Sequence, residues 1–166
     1  MQTTSPQGRD FIRGWEGTIL HAYDDADPLK RFIERGMPVR GVLTIGTGHT
    51  KTVIPGMRID AAEADRLLTL DLADAEGDIR FLVKRKLAQH QFDALAAFVF
   101  NVGGYAFRQS TSLRRLNDGD LDGAAEALTW YNKQTIKGVL VPNFGLTKRR
   151  RAERALFLHA DYSGRP

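Results

Sequence analysis

Cysteine is absent from the 166 residues of the chain. Its absence excludes disulfide bonds and thiolate metal sites, so that core packing has to supply the stability. Histidine is scarce as well, and the four copies at positions 21, 49, 90 and 159 do not show the spacing of a zinc site. We therefore expect the protein to work without a metal ion or another cofactor.

Long apolar runs are also missing. No stretch is long and uncharged enough to span a membrane. The first fourteen residues include Arg9, Asp10 and Arg13 and contain no apolar core of a signal peptide. We expect a chain that is synthesised in the cytoplasm without a signal peptide, does not insert into membranes and depends on another factor for export. Nothing in the sequence demands more than a monomer.

Positive charge slightly exceeds negative charge, since 24 Lys and Arg face 20 Asp and Glu and give a net charge of +4. Such a surplus favours an anionic partner, which could be nucleic acid, anionic lipid or an acidic cell-wall polymer. A basic run near the C-terminus predicts a cationic helix face, which is usually solvated. It comprises Lys148, Arg149, Arg150, Arg151 and Arg154. No aromatic residues alternate with these cations, so we do not expect nucleic-acid binding.

The composition changes near residue 60, from Gly, Pro and β-branched residues to Ala- and Leu-rich helical patterns. Asp60 and Glu63 resemble a helix start, and the following periodicity predicts a helix of about 25 residues. Gly77 either weakens that helix or marks a close contact. Other predicted elements are a helix over 9–16, a loop or irregular hairpin between 26 and 40, a strand over 41–46, a helix through 92–100 ended by Gly103 and Gly104, and helices over 111–117, 121–132 and 146–160.

The predicted elements give an α+β fold that is mainly α. We expect one domain over residues 1–166, with a small β-containing N-terminal lobe over about 11–59 and a helical C-terminal lobe over about 86–166. A long helix over about 60–85 connects the two lobes. Two lobes imply a cleft, which suits a polymeric substrate.

Two carboxylates are candidates for chemistry. Glu16 lies at the end of the first predicted helix beside Trp15, and Asp25 follows directly after Tyr23 and Asp24. Glycoside hydrolysis requires one protonated carboxyl group for the leaving oxygen and a second group that handles water or developing positive charge. Without other information, however, a Glu and a nearby Asp are more often an exposed helix residue and part of a turn.

The segment from Thr44 to Thr50 is a second candidate. Gly46 and Gly48 allow tight turning and close backbone approach, as in a binding cleft, although a plain β-turn explains them equally well. A Thr hydroxyl at a strand end can hold a water molecule, because it both donates and accepts hydrogen bonds. A phosphate-binding loop is excluded, since no Lys-Ser or Lys-Thr pair follows. For His49, a structural hydrogen-bonding role is favoured over direct chemistry.

Several short segments occur in order over nearly the whole chain. They are Trp15-Glu16-Gly17, Ala22-Tyr23 with Asp25, Leu43-Thr44-Ile45-Gly46, Gly48-His49-Thr50, Gln91 to Leu95, Phe100-Asn101-Val102-Gly103, Ser110-Thr111, Gly145-Leu146, Arg149-Arg150 and Glu153. Together they resemble the phage-type lysozymes, or endolysins, of glycoside hydrolase family 24. They fit a natural and an artificial member of that family equally well. The resemblance implies a two-lobed lysozyme fold and an enzyme that cuts bacterial peptidoglycan.

The resemblance also implies roles for individual residues. Glu16 matches the general acid, Asp25 the carboxylate two residues after the Tyr, and Thr44 the Thr before Ile-Gly; Asp24 competes with Asp25 but is one residue too early. The expected reaction inverts the anomeric centre, with Asp and Thr positioning a water molecule. The expected substrate-binding residues are Gly48, His49, Phe100, Asn101 and Ser110.

Two features depart from the family pattern. Eighteen residues, Ala26 to Leu43, separate Asp25 from Thr44, where members of the family usually have a much shorter connection. Loops tolerate such insertions at small entropic cost, but this one could reshape substrate access. Thr47 replaces a residue that is often bulkier and aromatic, which is expected to weaken sugar contact.

Three functions remain open at this point. The first is hydrolysis of the β-1,4 bond between N-acetylmuramic acid and N-acetylglucosamine. The second is a lytic transglycosylase, which would need no positioned water and so would not need Asp25 and Thr44. The third is an inactive wall-binding module, against which Glu16 argues. For the first, the resemblance implies passage through a membrane lesion made by a separate protein, followed by host lysis; the basic C-terminal face would concentrate the enzyme on anionic wall polymer.

Overall fold

The computed structural model describes all residues from Met1 to Pro166. It confirms the α+β, mainly helical fold class. The elements in chain order are α1 (Pro6–Glu16), β1 (Ile19–Asp24), β2 (Leu43–Gly46), α2 (Ala61–Leu82), α3 (Gln89–Val102), α4 (Gly104–Arg108), α5 (Thr111–Asp118), α6 (Leu121–Leu128), β3 (Lys133–Ile136), β4 (Val139–Pro142) and α7 (Phe144–His159). None of the helices combines the length and the apolar character needed to cross a membrane.

The chain divides into two compact units. The smaller unit is Glu16–Asp71, and the larger unit combines Met1–Trp15 with Leu72–Pro166. Helix α2 contributes residues to both units. The lobe limits expected near residues 59 and 86 stay a prediction.

The smaller unit is built on the antiparallel pair β1 and β2. Tyr23 lies opposite Thr44 and Asp24 lies opposite Leu43. Ala22 in β1 and Ile45 in β2 are fully buried and form the core of this sheet. The strand predicted over 41–46 begins two residues later, at Leu43.

Helix α3 forms the centre of the larger unit. All residues from Phe92 to Val99 are buried, and α3 packs against α7. Asp93 in α3 is fully buried, and its carboxylate accepts hydrogen bonds from the Ser5 backbone N–H (2.9 Å), Gln89 Nε2 (2.9 Å) and the Tyr162 hydroxyl (2.7 Å). Burial and the hydrogen bond to Asp93 raise the pKa of Tyr162 to about 12. The two ends of the chain are thus fixed to the central helix.

Capping residues set several helix ends as predicted. The Asp60 side chain accepts a hydrogen bond from the Glu63 backbone N–H (2.8 Å) at the start of α2. At the end of α3, Gly103 takes a positive φ of 87°, which few other residues adopt readily. The N-terminal helix is longer than predicted, because it begins at Pro6, a residue suited to the first helical turn.

One predicted helix was too long. The helix expected over 121–132 ends at Leu128, and an unpredicted hairpin of β3 and β4 follows. Its turn residues Lys137 and Gly138 both have positive φ, 49° and 80°, as in the two-residue turns that suit β-hairpins. The Lys-Gly pair between β-branched residues was the sequence signal for this hairpin.

Gly77 weakens α2 rather than marking a close contact, since a methyl group on its Cα would meet no atom within 4 Å. We therefore expect Gly77→Ala to raise the free energy of unfolding by about 0.5–1 kcal/mol, through helix propensity and a less flexible unfolded chain. The melting temperature should rise by roughly 1–4 °C. The matched control is Gly8→Ala in α1, where the new methyl would lie 2.6 Å from Cγ of the buried Asp93. Gly8→Ala should be destabilising, and a neutral or harmful Gly77→Ala would contradict the prediction.

Candidate active site

The pairing of β1 with β2 sorts the candidate side chains onto two faces. Directly opposed residues of an antiparallel pair share a face, so Tyr23 and Thr44 lie together, whereas Asp24 shares the other face with Leu43. Asp25 lies in a turn just after the end of β1, and its charge acts on the buried phenol of Tyr23, the residue opposite Thr44. A methyl group on Gly41 would meet Oδ1 of both Asp25 and Asp24, so the two carboxylates lie close together.

The two aspartates differ in their hydrogen bonds. Asp24 is 7% exposed, and its oxygens accept hydrogen bonds from the backbone N–H groups of Arg40 (2.6 Å), Gly41 (2.9 Å) and Ala26 (3.0 Å). These bonds, that from Arg40 foremost, hold the pKa of Asp24 below its usual value. The Asp24 carboxylate therefore has a structural role, because its hydrogen bonds hold the loop that follows β1.

Asp25 is exposed, and its Oδ1 accepts one hydrogen bond, from the Val42 backbone N–H (2.6 Å). The Asp25 backbone N–H in turn donates to the Val42 carbonyl (3.1 Å). A methyl group on Gly41 would overlap with Asp25 Oδ1, so that glycine is needed for the approach of the backbone to this carboxylate. The result is an oriented carboxylate at the surface, as a general base requires.

The lowered pKa of Asp24 predicts a pH-dependent effect of Asp24→Asn. An ionised Asp24 stabilises the fold above the ordinary carboxyl pKa of about 3.9, and this contribution is lost as the pH falls through the lower folded-state pKa. An amide cannot accept all three N–H donors with one oxygen. We expect the variant to melt well below the wild type at pH 7, with a gap that narrows by pH 3. Thermal melts at both pH values test this, and a gap independent of pH would contradict it.

The Tyr23 phenol interacts with Asp25, Thr44 and Glu16, the three candidate catalytic residues. Burial raises the pKa of the Tyr23 phenol, the charges of Asp25 and Glu16 raise it further, and a hydrogen bond with the Thr44 side chain acts in the opposite direction. The phenol is therefore close enough to sense both carboxylates. Sequence reasoning used Tyr23 only as a marker for Asp25 and did not identify it as a residue near the candidate site.

Thr44 and Glu16 have defined surroundings. Thr44 is 5% exposed, and its hydroxyl donates to the Val42 carbonyl (3.1 Å); besides its hydrogen bond with Tyr23, the oxygen can still accept one from a water molecule. Glu16 is the last residue of α1 and is half-buried. Gly17 follows with a φ of 75° and turns the chain away from the helix.

The turn after β2 is held by buried side chains. His49 is 5% exposed, its Nδ1 lies 2.9 Å from Asp71 Oδ2, and its Nε2 lies 3.0 Å from Thr52 Oγ1. Both ring nitrogens are thus engaged within the protein, which favours the structural role for His49. Thr47 is 2% exposed and forms a hydroxyl–hydroxyl hydrogen bond with Thr18 (3.0 Å). Gly48 is exposed, with a φ of 89°.

The other expected substrate-binding residues belong to the larger unit. Asn101 is exposed, and its Oδ1 accepts a hydrogen bond from the Arg150 guanidinium. Phe100 is half-buried. Ser110 is 4% exposed and caps α5, since its hydroxyl accepts a hydrogen bond from the Leu113 backbone N–H (3.0 Å).

The predicted cationic helix face near the C-terminus is wrong in part. Arg149 is 5% exposed and Arg150 is fully buried, and both form ion pairs of 3.0 Å with the fully buried Glu153 in α7. Arg154 pairs with Glu126 at 3.0 Å. Glu153 lies one turn after Arg149 and Arg150, so α7 can bury these charges as ion pairs. From the sequence alone, we expected the cations to be solvated.

No group of three or more His, Cys, Asp or Glu side chains is placed to hold a metal ion. The candidate site consists of carboxylates, hydroxyls and backbone N–H groups. Such a set supports proton transfer and water activation.

Comparison with known proteins identifies a family. The phage lysozyme family model matches residues 13–153. The endolysin of Salmonella phage P22 is 38% identical over 164 residues, which cover 95% of this chain and 99% of that protein. The structure of an endolysin from Escherichia coli O157:H7 phage FAHEc1 superposes with a TM-score of 0.83 at 34% identity, covering 97% of this chain and 96% of that one.

A third relative is described as a muramidase domain. It is that of SpmX from Asticaccaulis excentricus, with a TM-score of 0.82 and 35% identity over 95% of this chain and 99% of that one. Family model, sequence identity and fold agree over nearly the full length. The chain belongs to the phage lysozyme family and is a lysozyme-type hydrolase of the endolysin kind.

Proposed function

We propose that this enzyme hydrolyses the β-1,4 bond between N-acetylmuramic acid and N-acetylglucosamine of bacterial peptidoglycan with inversion. The observation that carries the proposal is the grouping of Asp25 and Thr44 around Tyr23, whose phenol also senses the charge of Glu16. Two carboxylates and a water-holding hydroxyl are the groups that a single displacement by water requires.

The roles follow from the surroundings of each side chain. Glu16 donates its proton to the glycosidic oxygen as the bond to C1 breaks. A water molecule attacks C1 from the opposite face and gives its proton to Asp25, whose Oδ1 is fixed by the Val42 N–H. Thr44 accepts a hydrogen bond from that water, because its own proton is donated to the Val42 carbonyl.

Further residues are proposed to contact the sugar chain. The exposed backbone at Gly48 suits close approach of a sugar, and the partly accessible Phe100 and Asn101 can offer stacking and hydrogen bonding. For His49 and Ser110, the hydrogen bonds inside the protein favour support of the neighbouring backbone over direct contact. We further propose that one monomeric domain does this work, after passing a membrane lesion made by a separate protein.

Product analysis tests the reaction. Purified peptidoglycan is digested in H₂¹⁸O, and the fragments are examined by mass spectrometry and by NMR of the new reducing ends. We expect one ¹⁸O at a muramic acid reducing end, with the α anomer formed first. Predominance of anhydro-muramic products would show a lytic transglycosylase, and initial β anomer would contradict inversion. Wall binding without fragments would show an inactive binding module.

A further inference from the structure

The eighteen-residue insertion, residues 26–43, is firmly attached to the smaller unit. Ile33 at its centre is 7% exposed; its backbone N–H donates to the Ala22 carbonyl (2.9 Å), and its own carbonyl accepts from the Gly56 N–H (2.8 Å). Phe32 forms a bridge with Tyr23 of β1, and the Arg58 guanidinium lies 4.0 Å from the centre of the Phe32 ring. These contacts give the insertion a defined shape.

The insertion lines a pocket of about 470 Å³ that is open to solvent. Pro28, Met37 and Pro38 supply apolar walls, Arg31 and Arg40 supply cations, and Asp24 also contributes to the lining. Asp25, the candidate general base, is the next residue along the chain. The Asp24 carboxylate, which lines the pocket, and the Asp25 carboxylate both lie against Gly41, so the pocket is adjacent to the site at which the glycosidic bond is proposed to be cut.

The charge of the insertion is positive, with four cations, Lys30, Arg31, Arg35 and Arg40, against Asp27 and Glu34. The acceptors in the lining are already occupied: Asp24 receives three backbone N–H groups, and Asp27 receives two backbone N–H groups and Arg31 Nε (2.9 Å).

Arg40 differs from Arg31 in its bonding. The Arg40 guanidinium is attracted by Asp24, but the hydrogen bond between these residues is made by the Arg40 backbone N–H. Its five N–H donors are left for a ligand, and the guanidinium geometry suits a carboxylate. A cationic group above apolar walls fits a short peptide that carries carboxylates and aliphatic carbons.

We propose that the insertion pocket binds the carboxylate-bearing peptide attached to the muramic acid of peptidoglycan. This inference rests on the proposed function, because a peptide on the sugar next to the cleaved bond is what a pocket beside Asp25 would meet. The insertion then gives preference for glycan that still carries its peptides, with Arg40 as the residue that determines this specificity.

Arg40→Gln tests the pocket, because it removes the charge but keeps the backbone N–H that holds Asp24. The matched control is Arg114→Gln on α5, an exposed arginine in the other unit. Both variants and the wild type are assayed on intact peptidoglycan and on the same glycan stripped of peptides by an amidase. We expect Arg40→Gln to raise KM on the intact polymer by on the order of tenfold, with kcat unchanged and no effect on stripped glycan. Equal effects on both substrates, or an equal effect of Arg114→Gln, would overturn the proposal.

A binding measurement tests the peptide pocket independently of the proposed catalytic activity. The probe is a synthetic N-acetylmuramoyl peptide, with a second version in which the peptide carboxylates are carboxamides. NMR titration of the wild type should shift resonances of the insertion, Arg40 and Met37 among them, with the carboxylate probe and much less with the amide. This result would stand even if the wild type cut neither polymer, which would refute only the catalytic proposal. No shift, or equal shifts with both probes, would refute the peptide pocket.

Discussion

Glu16→Gln is expected to lower the rate of peptidoglycan cleavage by about 10²–10⁴-fold, because an amide cannot donate the proton that the leaving oxygen needs. The substitution preserves the size of the side chain, and the position of residue 16 is fixed by the end of α1 and the turn at Gly17. Helicity and melting temperature should therefore stay close to those of the wild type. The effect should appear in kcat and not in KM, since the proton is transferred only in the transition state.

The assay is clearing of outer-membrane-permeabilised cell walls, followed by initial rates on purified peptidoglycan. Glu63→Gln is the matched control, because Glu63 is a partly exposed carboxylate of the same unit that pairs with Arg66 at 2.7 Å. That control should clear walls at the wild-type rate. If Glu16→Gln cleaves purified peptidoglycan at the wild-type rate, proton donation comes from elsewhere and the role of Glu16 is refuted.

Local signals predicted much of the fold. Asp60 caps α2 and Gly103 ends α3, because a side-chain acceptor and a residue tolerant of positive φ act on their immediate neighbours. Spacing favoured Asp25 over Asp24, and the physical distinction between them is the set of hydrogen bonds that occupies the Asp24 carboxylate. The three N–H groups that it accepts come from Ala26, two residues on, and from Arg40 and Gly41 near the far end of the insertion. No local pattern reveals a bond of that kind.

Tertiary placement also explains what sequence reasoning missed. The pocket of the insertion depends on the burial of Ile33 against Ala22. The sequence did not indicate this burial, because prolines and a glycine in the segment predicted an irregular loop. For the basic run, Glu153 at i+4 from Arg149 and i+3 from Arg150 was a visible signal for pairing. That pairing is equally compatible with a solvated helix, so the burial of these charges could not be read from the sequence.

Glu153→Gln is accordingly expected to be the most destabilising of the substitutions considered, lowering the free energy of unfolding by about 3–5 kcal/mol. Glu153 and Arg150 are fully buried and Arg149 is 5% exposed, so the two guanidinium groups would keep their desolvation cost after losing a shared carboxylate. For a chain of this length the melting temperature should fall by on the order of 10 °C.

Urea unfolding of Glu153→Gln and Glu126→Gln distinguishes the loss of a buried ion pair from the loss of an exposed one. Glu126 forms an ion pair of the same length, 3.0 Å, with Arg154, but its side chain is 55% exposed and that of Arg154 is 40% exposed. Water screens such a pair and hydrates the cation that is left, so Glu126→Gln should cost less than about 1 kcal/mol. If both variants lost a similar free energy of unfolding, the burial of Glu153 would not determine its contribution to stability. A large loss confined to Glu153→Gln would show that α7 is held in the larger unit by a buried charge cluster.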